Sequence, residues 1–204
     1  PTSPSPVPRT RAGSASSPLS ALRLSSGTLS PSFAPATTSY TASVVNAVTS
    51  VTVTPTVTDA AATVKVNGIT VASGSASGAI SLAVGTTSIT VGVTAQNGTT
   101  ISTYTVIVTR AKSTVLTLSA LSLSSGTLSP SFDAATKSYT ASVANAVTSL
   151  KVTPTTTDGN ATVKVNGTAV TSGSASGAIA LAVGANTISV VVTAQDGATK
   201  TTDP

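Results

Sequence analysis

The sequence has no cysteine, so neither disulfides nor thiol chemistry are open to it. It has no histidine, which removes the commonest general base and the commonest metal ligand. Tryptophan, methionine and glutamate are absent too. The acids are Asp59, Asp133, Asp158, Asp196 and Asp203 alone, and charged residues make up 7% of the chain. No stretch approaches the ~18 to 20 unbroken apolar residues of a membrane-spanning helix. No secretory leader is visible, and a chain opening on Pro1 instead of Met reads as starting inside a longer polypeptide or after processing. Long runs of Leu, Glu, Lys and Arg are missing, which argues against helices.

The net charge is +5. Its sources are dispersed: Arg9 and Arg11 near the start, Arg110 and Lys112 mid-chain, the rest scattered. A nucleic-acid domain clusters its basic residues on one face or in one run, so this pattern reads as a solvated surface.

Thr, Ser, Ala, Val and Gly fill the chain instead. Val and Thr favour strands, and Gly, Pro and Asn-Gly pairs punctuate them. One stretch organises the rest. Leu22 to Phe33, running on to Ser39 to Val44, returns almost unchanged as Leu121 to Phe132 and Ser138 to Val143. Behind it Pro55 maps to Pro154, Asn67 to Asn166, Gly85 to Gly184 and Gln96 to Gln195. Roughly three quarters of the aligned positions are identical, as in a recent duplication. Val51→Leu150 keeps an apolar position, while Thr52→Lys151 and Asn97→Asp196 fall on expected outer faces or turns. The expected organisation is a Pro/Ser-rich linker over 1–18, a first repeat over 19–110, a short linker over 111–114 and a second repeat over 115–204.

Alternation places the strands. Val51 and Val53 alternate with Thr; Val64 and Val66 flank Lys65. Ile89, Val91, Val93 and Ala95 share one face, as do Tyr104, Val106 and Val108. Period two with one apolar face suits a sheet covering a core on one side. Asn67-Gly68 and Asn97-Gly98 both sit between strands and are expected to form tight type I′ turns. Gly74 to Gly78 is a small-residue loop. About seven short strands per repeat, with regular turn signals, predict an all-β chain of two tandem immunoglobulin-like antiparallel β-sandwiches.

The second repeat is expected to lack its last strand. The counterpart of Tyr104 is Asp203, and nothing maps to Val106 or Val108. Burying one Tyr and two Val stabilises by about 5 kcal/mol, at ~1.5 to 3 per large apolar side chain. The second repeat is therefore expected to be the less stable, with an open edge able to exchange strands with another chain.

The motifs Ser20 to Phe33 with Tyr40, Val51 to Pro55, Val66-Asn67-Gly68, Leu82 to Ile89 and Tyr104 to Arg110 together resemble the bacterial cadherin-like β-sandwich domain. Thr87 stands where the family pattern has Asn, which the second repeat keeps as Asn186. The resemblance implies an extracellular or envelope protein, usually large and multidomain. It does not bring in calcium. An interdomain calcium site needs several carboxylates, and residues 108–118 hold none.

Candidate sites are few. Asp59 and Asp158 sit at equivalent positions and read as turn caps; one carboxylate per repeat cannot perform paired acid–base chemistry. Phe33, Tyr40, Tyr104, Phe132 and Tyr139 are the only aromatics, and they read as core anchors instead of a sugar-stacking platform. Asn97-Gly98-Thr99, Asn160-Ala161-Thr162 and Asn166-Gly167-Thr168 match a glycosylation pattern and are read as unused. No catalytic residue, cofactor site or metal site is assigned, and no nucleic-acid partner. Partners, if any, are other surface proteins or glycans. The expectation is a non-catalytic spacer or adhesive stalk of a bacterial surface or secreted protein, with an accessory carbohydrate-binding module as the alternative.

Overall fold

The computed structural model describes residues 12–197 and the backbone of Lys200–Asp203. None of these residues is helical. The chain divides into two compact units, Pro1–Ala111 and Lys112–Pro204.

Unit 1 contains, in chain order, β1 (Leu19–Leu24), β2 (Ser39–Val44), β3 (Ser50–Val51), β4 (Val53–Val57), β5 (Thr63–Val66), β6 (Ile69–Val71), β7 (Ile80–Ser81), β8 (Gly85–Thr94) and β9 (Ile101–Arg110). One layer is a five-stranded sheet ordered β2-β9-β8-β5-β6. The other is built from β1 against β4 and β3 against β7, with Thr52 alone between β3 and β4. Leu19, Leu22, Val51, Val53 and Val57 from the second layer pack with Tyr40, Val64, Ile89, Val91, Val93, Val106 and Val108 from the first. The period-two pattern thus becomes a sandwich core, and Ile107 points outward as the alternation requires.

One pairing departs from the all-antiparallel expectation. β2 runs parallel to β9, with Tyr40 opposite Val106 and Val44 opposite Arg110. The chain leaves β1 in one layer and crosses to the edge of the other, where it meets the last strand running the same way. Gly27 lies on this crossing. It has φ +82°, and a Cβ there would sit 3.1 Å from both Ser43 O and Val44 Cγ1. Only glycine fits both constraints without strain.

The two Asn-Gly turns separate. Asn67 (φ 48°) and Gly68 (φ 82°) close a two-residue hairpin in which Val66 faces Ile69. Both central residues have positive φ, as a type I′ turn demands. At Asn97-Gly98 only Gly98 does, and the hairpin is longer, with Thr94 paired to Ile101. The expected tight turn is therefore corrected. The Asn97 side chain caps the loop, accepting from the N–H groups of Thr99 and Thr100, while the Asn97 backbone N–H donates to Ser14 O.

That last bond belongs to a segment read as linker. Ser14 N donates to Gln96 Oε1 at 3.0 Å, and the Ser17 hydroxyl meets that of Ser102 at 2.7 Å. Ser17 is buried. The end of the 1–18 segment is thus fastened to unit 1, and residues 1–11 lie outside the described residues. The 111–114 linker shortens likewise. Ala111 O accepts from Asn46 Nδ2 within unit 1, and Ser113 N donates to Gln195 Oε1 within unit 2.

Pro55 lacks the N–H that its edge of β4 would offer, so no full strand pairs there. Serines close the edge instead. Val53 N donates to Ser77 Oγ and Val57 N to Ser73 Oγ, while Ser77 N and Gly74 N donate back to Val53 O and Pro55 O. The small-residue loop of the sequence is a strand substitute that leaves β4 no free edge.

Unit 2 repeats this plan with β10 (Leu118–Leu123), β11 (Ser149–Leu150), β12 (Val152–Thr156), β13 (Thr162–Val165), β14 (Thr168–Val170), β15 (Ile179–Ala180), β16 (Val190–Thr193) and β17 (Lys200–Asp203). The last strand is not wholly lacking: β17 forms the first four positions of the counterpart of β9, antiparallel to β16. Two further differences separate the units. The counterpart of β8 shrinks to Val190–Thr193, and Ser138–Val143 forms no strand where β2 does in unit 1.

Candidate functional site

Three carboxylates are turn caps. Asp59 Oδ1 accepts from Ala61 N at 2.9 Å, and Asp158 Oδ1 from Asn160 N at 2.8 Å. Asp133 Oδ1 accepts from Ala135 N in the same way. The Ala61 amide, and after it the Ser14 hydroxyl, hold the Asp59 carboxyl below its usual range. At Asp158 the Ser113 hydroxyl is the larger cause and the Asn160 amide the second. Hydrogen bonds to the charged form lower a carboxylate pKa, and here they clamp the Ser14 and Ser113 segments onto the turns. Among the described residues no group of three or more His, Cys, Asp or Glu comes together. None of their buried side-chain N or O atoms lacks a hydrogen-bond partner.

The aromatics of unit 1 lie in or against its core. Tyr40 and Tyr104 are 2% and 1% exposed. Phe33 stacks on Tyr40 at 5.9 Å between ring centroids and tilts against Tyr104 at 6.5 Å. The Tyr104 hydroxyl accepts from Leu19 N and donates to Pro35 O, both at 3.0 Å. The Tyr40 hydroxyl lies 2.8 Å from both Ala34 O and Thr37 O and 3.2 Å from Ala34 N. It thereby braces the loop between Phe33 and β2. Phe132 and Tyr139 repeat the stacked pair at 6.2 Å. Asn166 accepts from Ser189 N, as Asn67 does from Thr90 N, so both Asn-Gly asparagines lock their hairpins. Asn160 Nδ2 donates to Asp158 Oδ1.

The distinctive concavity lies in unit 2. It is a groove of about 990 Å³ walled by residues 138–145 on one side and 181–188 on the other, floored by Leu121, Leu123, Leu150 and Val152. The equivalent space in unit 1 is filled by the second half of β9. Leu22, Tyr40, Ala42, Val44, Leu82 and Ile89 are all buried there. Their counterparts Leu121, Tyr139, Ala141, Val143, Leu181 and Ile188 are half-buried or exposed. The sequence pointed to an open edge; it did not show a pocket with two walls. A smaller cavity of about 40 Å³ touches Leu118, Phe132 and Ala134. Leu118 and Ala134 are the counterparts of the two residues bridged by the Tyr104 hydroxyl in unit 1. No helix among the described residues is long and apolar enough to cross a membrane.

The match to a family model agrees with this architecture. The cadherin-like beta sandwich domain matches twice, over residues 19–111 and 118–202. A protein of Evansella cellulosilytica named "Putative membrane protein" is 44% identical over 82 residues. The match covers 40% of this chain, which spans only 12% of that relative's length. A crystal structure titled as that of a "putative glycoside hydrolase" from Bacteroides thetaiotaomicron aligns with 69% of this chain and 35% of its own, at 19% identity and a TM-score of 0.30.

Proposed function

The chain belongs to the cadherin-like β-sandwich domain family, and from that premise we propose that its units serve as non-catalytic spacer or adhesive stalk modules of a bacterial cell-surface or secreted multidomain protein. The observation that carries this reading is the parallel pairing of β2 with β9 over Ser39–Val44 and Thr105–Arg110. Tension entering near Leu19 and leaving at Arg110 pulls these two strands in opposite directions along their length. Their hydrogen bonds then resist together in shear, where an antiparallel hairpin pulled from its open end gives way one bond at a time. A module that holds its length under load needs such a clamp. The use of polar groups supports the same reading, since the aspartates and tyrosines bond to backbone within their own unit. The name of the Evansella relative supports an envelope setting.

A carbohydrate-binding accessory module is the weaker reading. Stacking on a sugar ring needs an exposed aromatic face; Tyr40 and Tyr104 are buried, Phe33 and Phe132 pack against the cores, and half-buried Tyr139 has one ring face stacked on Phe132. The test is single-molecule stretching of the chain tethered at its ends. Unit 1, whose clamp is complete, is expected to open at clearly higher force than unit 2. Opening of unit 1 at a force no higher than unit 2 overturns the mechanical reading. Glycan binding lost on replacing Tyr139 would favour the carbohydrate reading.

A further inference from the structure

Ahead of its first strand each unit carries a short segment fastened by one serine. Ser14 uses all three of its polar groups. Its N–H donates to Gln96 Oε1 at 3.0 Å, and its carbonyl accepts from Asn97 N at 3.0 Å. Its hydroxyl donates to the Asp59 carboxylate and accepts from Ser16 N at 3.2 Å. Ser113 repeats the set in unit 2. Its N–H donates to Gln195 Oε1 at 3.0 Å, and its carbonyl accepts from Asp196 N at 3.2 Å. Its hydroxyl donates to the Asp158 carboxylate and accepts from Val115 N at 3.3 Å. Across 13–18 and 112–117 the serine is the one residue that the two copies share. They agree at the fastening and diverge around it.

In unit 1 the segment runs beside the start of β9 and in the same direction. Ser14 meets Asn97, Ser17 meets Ser102 and Leu19 meets Tyr104. From Thr105 onward β2 takes that place. The segment is not a strand, and it buries little. Ala12, Gly13 and Ala15 are exposed, as are Lys112, Thr114 and Val115 in unit 2. Chain held by a few polar bonds, without buried apolar side chains, lies at the low end of local stability. The next fastening is of another kind. Pro18 O accepts from Thr58 N and Thr117 O from Thr157 N. The strands β1 and β10 then begin at the buried Leu19 and Leu118.

We propose that these segments are straps, each of which peels from its own unit as a separate step before the sandwich opens. Load arriving along the chain meets Ser14 or Ser113 before it reaches β1 or β10. The bonds of a single serine carry it there, while in unit 1 six residue pairs join β2 to β9. The strap yields first and lengthens the free chain ahead of its unit. Ahead of unit 2 the change is set by named residues. Ala111 is fastened within unit 1, through Val44 O and Asn46 Nδ2. With the strap closed, Lys112 alone lies between Ala111 and the fastened Ser113. With it open, residues 112–116 are released, a stretch that spans at most about 17 Å. The spacer then gains slack without losing a folded unit. The role under load rests on the spacer reading; peeling as a separate step does not.

Amide exchange in the full chain without load tests the separate step. The Asn97 and Asp196 amides donate to the strap carbonyls, whereas Val91 in β8 and Val192 in β16 each lie between two paired strands. The first two are expected to exchange at least about tenfold faster than the second two. Ser113→Ala is expected to speed exchange at Asp196 at least about fivefold, as loss of one ordinary hydrogen bond does, and to leave Val192 unchanged. Gln195→Ala removes a different bond of the same strap and should give the same split. Equal exchange of Asp196 and Val192, or equal acceleration of both in the two variants, overturns the proposal. Single-molecule stretching then tests the role under load. A short extension, below about 20 Å, is expected ahead of each unit's opening. Ser14→Ala with Ser113→Ala should move that step to lower force and leave the opening forces of the units unchanged. Absence of the step, or opening forces that fall with it, overturns the strap as a load device. The spacer reading fails on a different result, unit 1 opening at a force no higher than unit 2.

Discussion

Replacing Tyr104 by Phe removes one oxygen and leaves the ring in its place. The Tyr104 hydroxyl accepts from Leu19 N and donates to Pro35 O, both at 3.0 Å. Leu19 is 0% exposed, so its amide cannot turn to water when that oxygen goes. A buried donor left unsatisfied costs about 1–3 kcal/mol, a large part of the ~5–15 kcal/mol that holds a domain folded. The comparison variant is Tyr40→Phe. That hydroxyl is bonded to Ala34 and Thr37, and Ala34 is exposed, so water replaces much of what is lost. Its cost is expected nearer the ~0.5–1.5 kcal/mol of an ordinary hydrogen bond. Calorimetry of the whole chain separates the two. The higher-melting transition belongs to unit 1, whose core is filled, and the lower to unit 2. Tyr104→Phe is expected to lower the upper transition by roughly 4–8 °C per kcal/mol, as for other domains of about this size. Tyr40→Phe should lower it less, and neither should move the lower one. A Tyr40→Phe loss equal to or larger than that of Tyr104→Phe refutes the reasoning, because burial of the partner would then not decide the cost.

Gly27→Ala forces a Cβ into a left-handed conformation against Ser43 O and Val44 Cγ1. The conformation alone costs about 1–2 kcal/mol, so denaturant midpoints of the upper transition should fall; a loss below ~0.5 kcal/mol would show that the crossing relaxes. Hydrogen bonds lower the folded-state pKa of Asp59 and Asp158. Their contribution is therefore fully present above the unfolded carboxylate value of about 3.9 and fades as pH falls through the lower folded value. In Asp59→Asn with Asp158→Asn, which keeps the Oδ1 acceptor, the fall of melting temperature on the acid side should be shallower; an unchanged acid-side slope contradicts the assignment.

The local parts of the fold were legible because local chemistry encodes them. Asn67-Gly68 announced a turn with two positive φ values, since few other pairs tolerate them. Val64, Val66, Val91, Val93, Val106 and Val108 announced inner faces by period two, and the structure buries all six. Asn97-Gly98 misled because the same dipeptide serves a second use. There the Asn side chain caps a longer loop whose length is set by the Thr94–Ile101 pairing and by Ser14. Ser14 and Ser113 looked like linker because what holds them, Gln96 and Gln195, lies far along the chain.

The sequence by itself determined that this is a duplicated all-β chain of the cadherin-like family, with Tyr40 and Tyr104 serving as core and Asp59 and Asp158 in turns. Composition excludes most chemistry, and alternation specifies which face of each strand is apolar. Tertiary structure alone decided that β2 lies parallel to β9 and that serines close the edge of β4. Each depends on segments far apart in the chain meeting in one register. Period two says which way a side chain points, but not which strand will lie beside it.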